Sequence, residues 1–249
     1  TACALAEQAD GTVTVEQREF GACQRDRRAL AAWAQAFGPA VVVMESTGIY
    51  WKSPYAALER VGIPAWVVNA RHVKAVPGRQ TASADAPWLA MLARAGLLRG
   101  SCVPPTERRH LRLIARQRQQ LGGLRAAEQH RLHQLLTDAG IRLKVLVADL
   151  QGQAGRAMVK AIIAQEPPAE ILKHTGRLKA SRQEWFAALQ TEELSPAHRF
   201  VLAATVSHIE EREARMRRFE GQLLHGLAPW LSLLVLLQTV PGIDPIGAA

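Results

Sequence analysis

Acidic residues are in short supply in this 249-residue chain: 22 Asp+Glu face 31 Lys+Arg, a formal net charge of +9 and a pI near 10.2. That deficit suits a polyanionic partner and says nothing of the fold. Nucleic acid becomes the leading partner class, although ribosomal-type binders and basic metabolic enzymes share the balance. Cysteine is scarce too. Cys3, Cys23 and Cys102 are odd in number and widely spaced, which argues against a disulfide framework or a CxxC metal site and fits a reducing cytoplasm. Long apolar runs are missing: Leu231 to Leu237 falls far short of the ~20 residues a membrane helix needs, and the first residues show no basic-then-apolar signal pattern. We expect a cytoplasmic protein with no membrane partner. Thr1 stands where a Met would, and Gly247-Ala248-Ala249 stops inside what reads as a starting helix; we expect a chain cut at both ends.

What is present is a folded protein. A hydrophobic share of 48% with 21% charged residues excludes global disorder, and the length allows one large or two ordinary domains. After the Asp10-Gly11 turn signal, Thr12 to Val15 alternates as a strand, and Ala2 to Ala6 supplies its hairpin partner. Arg28 to Phe37 then reads as a helix, Val41 to Met44 as a buried strand, Tyr55 to Val61 as a helix, Ala65 to Val68 as a second buried strand and Asp85 to Ala95 as an amphipathic helix. Strands alternating with helices predict an α/β layer with some parallel pairing.

Beyond Pro104-Pro105 strand signals vanish, and we place the domain boundary there. From Glu107 to Lys144 there are nine basic and three acidic residues, so this segment holds +6 of the net charge. Leu111, Ile114, Leu121, Leu132 and Leu135 fall on a heptad-like seam, with Arg118, Arg125 and Glu128 on the rest of it; Val206, Ile209, Met216, Phe219 and Leu223 form a second stripe that includes Glu213. Matching stripes predict an antiparallel coiled-coil hairpin; the alternative is two surface helices of a compact bundle. Gly122-Gly123 should weaken the first helix by ~1 kcal/mol per glycine. Shorter helices are expected at Ala154 to Gln165 and Arg182 to Leu189. The apolar stripe at Leu111, Ile114, Val206, Ile209 and Phe219 also predicts self-association into a homo-oligomer.

Chemistry-bearing residues are few. Glu45 follows an apolar strand and Asp85 opens a helix. A carboxylate at a strand end and another at a helix start suit two Mg²⁺ ions about 4 Å apart, although any α/β protein has such carboxylates. Arg71, His72, Lys74 and Arg79 form a basic loop suited to phosphate, against a reading as solvated surface charge. Ser46 and Thr47 lack a local base and read as strand-end polar residues. Tyr50 and Trp51 stack on a base or pack on a neighbouring loop. His130 and His133 have no third ligand nearby for zinc.

The words around these residues are more specific. Met44-Glu45-Ser46-Thr47-Gly48-Ile49-Tyr50-Trp51-Lys52, the run Val68-Asn69-Ala70-Arg71-His72-Val73-Lys74-Ala75-Val76-Pro77-Gly78-Arg79, and Asp85-Ala86-Pro87-Trp88-Leu89-Ala90 resemble the DEDD transposases of bacterial insertion sequences, the IS110 family. Leu97 to Ser101, Val103-Pro104-Pro105 and His198-Arg199-Phe200 add to the likeness. The resemblance implies an α/β plus all-α protein: a truncated RuvC-like RNase H-fold domain over 1–103, a helical coiled-coil domain over 104–230, and at 231–249 the helix-hairpin-helix-like start of a domain bearing a serine nucleophile. It implies DNA recombination at element ends and target, directed by a structured guide RNA.

By that resemblance Glu45 is the second and Asp85 the fourth of four acidic Mg²⁺ ligands, and Lys52, Arg71, His72, Lys74, Arg79, Arg112, Arg116 and Arg125 contact nucleic acid. The first ligand is expected before Thr1. The family word Thr-Asp-x-Lys-Asp-Ala is here Thr81-Ala82-Ser83-Ala84-Asp85-Ala86, so Ala82 replaces the third ligand and Ala84 the lysine. Asp244 stands in the Pro241-Gly242-Ile243-Asp244-Pro245 turn where the family commonly has glycine. The expected function is that of a catalytically incomplete transposase; the alternatives are a non-catalytic RNA- or DNA-binding derivative, and an intact resolvase-like nuclease acting without the serine domain.

Overall fold

A computed structural model describes residues 1–75, 85–141, 143, 149–174 and 194–247. The chain divides into two units, Thr1–Pro104 and Pro105–Ala249.

In the first unit, strands β1 (Ala2–Glu7) and β2 (Val13–Arg18) pair antiparallel with Leu5 opposite Val15. Gly11 takes the left-handed φ of 82°, and Asp10 Oδ1 accepts from the Thr12 amide and hydroxyl at 2.9 and 2.6 Å, as a tight turn demands. Helix α1 (Gln24–Phe37) starts four residues before the apolar pattern does, because its first turn is polar and its N-cap, Cys23, makes no side-chain cap. Trp33 ties α1 to the hairpin: its Nε1 donates to Glu16 at 2.9 Å, and its ring lies 5.5 and 5.0 Å from those of Phe20 and Phe37.

A separate three-stranded sheet follows. Strand β3 (Val42–Glu45) pairs parallel with β4 (Ala65–Val68) through the crossover helix α2 (Lys52–Arg60), and β5 (Gly100–Ser101) lies antiparallel beside β4. Both sheet faces are covered, which explains the unbroken apolar strands. Val42, Met44 and Ala65 pack with Ala34, Leu58 and Ile63 under α1 and α2. On the other face Val43 and Val68 pack with Val73 of α3 (Ala70–Ala75) and with Trp88, Leu89 and Leu92 of α4 (Asp85–Arg94).

The second unit is helical. The long helices α5 (Thr106–Asp138) and α8 (Pro196–Gly226) lie antiparallel, since Arg118 meets Glu220, Arg125 meets Glu213 and Asp138 meets His198. Gly122 does not break α5, and a Cβ there would lie 3.9 Å from Met216 Cε. At one end, Leu132 and Leu136 of α5 join Met158, Val159 and Ile162 of α6 (Gln153–Ile163), Ile171 of α7 (Pro168–Ile171) and Leu202 and Ile209 of α8. At the other, Leu223, Leu227 and Leu234 of α9 (Leu231–Leu237) pack with Leu111 and Ile114. Leu136 rather than Leu135 is the fully buried leucine of its turn. Of the residues expected to drive self-association, Ile209 is buried within the chain and Leu111 and Ile114 are partly buried there. The expected helix Arg182 to Leu189 lies outside the described residues. No single described helix is long and apolar enough to cross a membrane.

Candidate nucleic-acid interface

Glu45 is the last residue of β3, where the Ser46 amide donates to the Val68 carbonyl at 2.9 Å. The pleat sends alternate residues to opposite faces, so Glu45 lies on the side of Val43, the face covered by α4. The Thr47 hydroxyl donates to Glu45 Oε1 at 2.6 Å, which gives Thr47 the strand-end polar role expected of it. Asp85 is the exposed first residue of α4, where a carboxylate complements the helix N-terminus. Both acids belong to the layer formed by β3 and α4. Among the described residues no group of three His, Cys, Asp or Glu is placed to hold a metal ion. Arg79 and Ala82 lie outside the described residues.

Arg71, His72 and Lys74 lie on helix α3, not on a loop. Asn69 nucleates that turn: its Oδ1 accepts from the Arg71 amide at 2.9 Å, and its carbonyl accepts from the His72 and Val73 amides at 3.0 and 3.2 Å. Asn is among the best N-cap residues, and with Val73 buried the three basic side chains stay exposed. Lys52 is exposed at the first turn of α2, a position where the helix dipole disfavours a cation. The aromatic pair before it divides: Trp51 packs edge-on to Tyr55 at 5.8 Å, whereas Tyr50 is 79% exposed beside Ile49 at 69%.

The arginines of α5 divide in the same manner. Arg112 and Arg116 are exposed, and with Arg108 they form a row spaced one turn apart, which their four-residue spacing in the sequence signals. Among the described residues none of the three has a carboxylate partner. Arg125 is different. It faces α8 within 3.9 Å of Glu213, and that carboxylate is also gripped by the Arg156 fork at 2.5 and 2.6 Å. Arg118 donates to Glu220 at 2.8 and 3.0 Å, and Arg212 lies 3.5 Å from Glu128. Arg125 thus lies beside an acid of the facing helix, unlike the row, with its side chain still 38% exposed. The Arg156 hydrogen bonds hold the Glu213 carboxyl below the ordinary glutamate range, and burial opposes them.

A third constellation joins Ser195, His198 and Asp138. Ser195 Oγ lies 2.8 Å from His198 Nδ1, and His198 Nε2 lies 3.0 Å from Asp138 Oδ2. Ser195 is the N-cap of α8, its oxygen accepting from the His198 amide at 3.2 Å, and the group sits on the surface. It caps one helix and fastens it to the other.

With this geometry in place, a family model of the DEDD IS110 type, described as "Transposase", matches residues 1–141. The chain belongs to this transposase family. A search of curated proteins returned no match. The match takes in the whole α/β unit of the transposase and α5 with its arginine row, and it stops before α6.

Proposed function

We propose that this transposase chain grips nucleic acid through phosphates and does not by itself complete a two-metal site. The α/β unit is read as a RuvC-like RNase H domain presenting Glu45 and Asp85, and the helical hairpin as an arm for duplex DNA or a structured guide RNA. The observation that carries the reading is the exposed row Arg108, Arg112, Arg116. Three like charges one turn apart disfavour the helix by a few tenths of a kcal/mol per pair, a cost that a polyanion laid along the row would reverse.

The donor set does not fit a Mg²⁺ pair. Ala82 offers no donor atom, and one oxygen of Glu45 already accepts from Thr47. With Ala82 at the third place the set is short of one of its four carboxylates, which leaves a divalent pair's charge less well compensated, so no step is derived through a metal. Ala82 also favours the second reading, a nucleic-acid-binding derivative of a transposase without cleavage activity.

Replacing Arg108, Arg112 and Arg116 by Ala is expected to weaken binding to unrelated duplexes alike and to lower the slope of log K against log salt by about three. A loss confined to one sequence would mean direct base readout instead. Cleavage of branched or element-end DNA in Mg²⁺ or Mn²⁺ is expected to be negligible. Robust turnover that Glu45→Gln abolishes would restore the complete-enzyme reading.

A further inference from the structure

The α/β unit holds a second concentration of unpaired positive charge, on the sheet face opposite α4. A groove of about 130 Å³, open to solvent, runs between α1 and α2. Gln24, Arg27 and Arg28 line it from the first turns of α1, and Ser53 and Arg60 line it from α2 over a floor that includes the buried Ala57. No carboxylate lines it. Arg27 spends one N–H on the Ala22 carbonyl at 2.6 Å and keeps its remaining donors. Among the described residues Arg28 and Arg60 have no ion-pair partner, and both are exposed. The nearest acid of α1, Asp26, is taken by the Cys23 thiol at 2.8 Å and by Arg25 at 3.7 Å.

Three guanidiniums around one groove repel one another, and each presents a planar fork shaped for two oxygens of a phosphate. Here the small side chain of Ala57 keeps the helices close, so that the arginines rim a concavity. The Ser53 hydroxyl adds a neutral donor that suits an anionic oxygen. No aromatic ring lines the groove to stack on a base, and clustered guanidiniums on an exposed surface suit phosphate oxygens, so backbone contact is favoured over base readout.

We propose that the α1–α2 groove is a phosphate-binding site that seats the sugar-phosphate backbone of a nucleic acid strand, independently of the arginine row on α5. The inference rests on the reading of the chain as a nucleic-acid-gripping transposase, and it names a contact surface on the α/β unit for that reading. The site takes two or three consecutive phosphates without regard to sequence, and its grip weakens with salt.

The test uses the full chain, a short duplex of arbitrary sequence, and inorganic phosphate as a separate probe. The Arg28→Ala/Arg60→Ala double variant is expected to bind the duplex roughly ten- to a hundredfold more weakly and to lower the salt slope by about two. Arg28→Lys/Arg60→Lys should keep the slope while losing part of the affinity, since charge remains and the fork is gone. An unchanged circular dichroism spectrum and melting midpoint show that the fold is intact. Wild-type binding that the double alanine variant retains in full, slope included, overturns the groove and leaves the α5 row as the interface. Inorganic phosphate binding that the variant abolishes, with duplex affinity unchanged, overturns the backbone assignment in favour of a small-anion site. A wild-type chain that binds neither RNA nor DNA overturns the parent reading and this one together.

Discussion

Glu213 shows how much one residue of this protein is asked to do. Its side chain is 11% exposed, it accepts both tines of the Arg156 fork, and Arg125 stands 3.9 Å away. The hydrogen bonds from Arg156 depress its carboxyl in the folded chain, so its contribution to stability is complete above the ordinary glutamate value and is lost as pH falls through the depressed one. Melting midpoints recorded down an acid series should therefore fall more steeply for wild type than for Glu213→Gln. At neutral pH that substitution should cost about 1–3 kcal/mol, since it leaves two guanidiniums short of a counter-charge in a half-buried site. The residue scale is also where sequence reading fails in a definable manner. Composition reveals that Arg125 is basic, but its neighbour Glu213 lies far along the chain and is set by the packing of the two helices. Glu45 was legible because a strand end is a local property; its hydrogen bond from Thr47 follows from the two-residue spacing of the same word.

At the scale of elements, the sequence reads well where burial sets the pattern and poorly where capping does. Ala65–Val68 is found as the apolar run predicts because both sheet faces are covered. Helix α3 escapes notice because it is six residues long and half of it is basic, and it owes its existence to the Asn69 cap and one buried valine. Asn69→Ala should remove that cap at a cost of about 1 kcal/mol, read as faster amide exchange at Arg71 through Val73 with the sheet unaffected. Helix α6 depends on a close approach instead. A Cβ on Gly155 would fall 2.6 Å from the Asp149 carbonyl oxygen and from Leu150 Cα, and backbone atoms cannot rotate away. Gly155→Ala is therefore expected to destabilise the helical unit by about 1–3 kcal/mol despite alanine's better helix propensity. A neutral or stabilising result in denaturant titration would place the 149–152 segment elsewhere.

For the molecule as a whole, each unit has its own buried clusters, and of the stripe expected to drive oligomerisation Ile209 lies buried inside the hairpin. Ile209→Asp should accordingly melt the helical unit, because Ile209 is 4% exposed among the core of its own chain. Light scattering should show no change of mass at temperatures where the variant is folded. Dissociation of a wild-type oligomer by that substitution would contradict the packing. The hairpin also has a graded interior, apolar at both ends and mixed between, where Arg118 to Glu220, Arg125 to Glu213 and Glu128 to Arg212 form ionic rungs around the buried Leu121 and Met216. Sliding one helix by a heptad so that Arg118 met Glu213 would set Arg125 beside Val206 and Glu220 beside Leu111, stranding those two charges. The rungs therefore act as a gauge on permitted lengths. An insertion of two turns in α5 alone should be lethal to folding, whereas the same insertion made opposite itself in α8 should be tolerated. Relatives of this chain should accordingly vary in arm length only by matched, whole-repeat steps, with the distance between the two apolar ends growing by about 10 Å at each step.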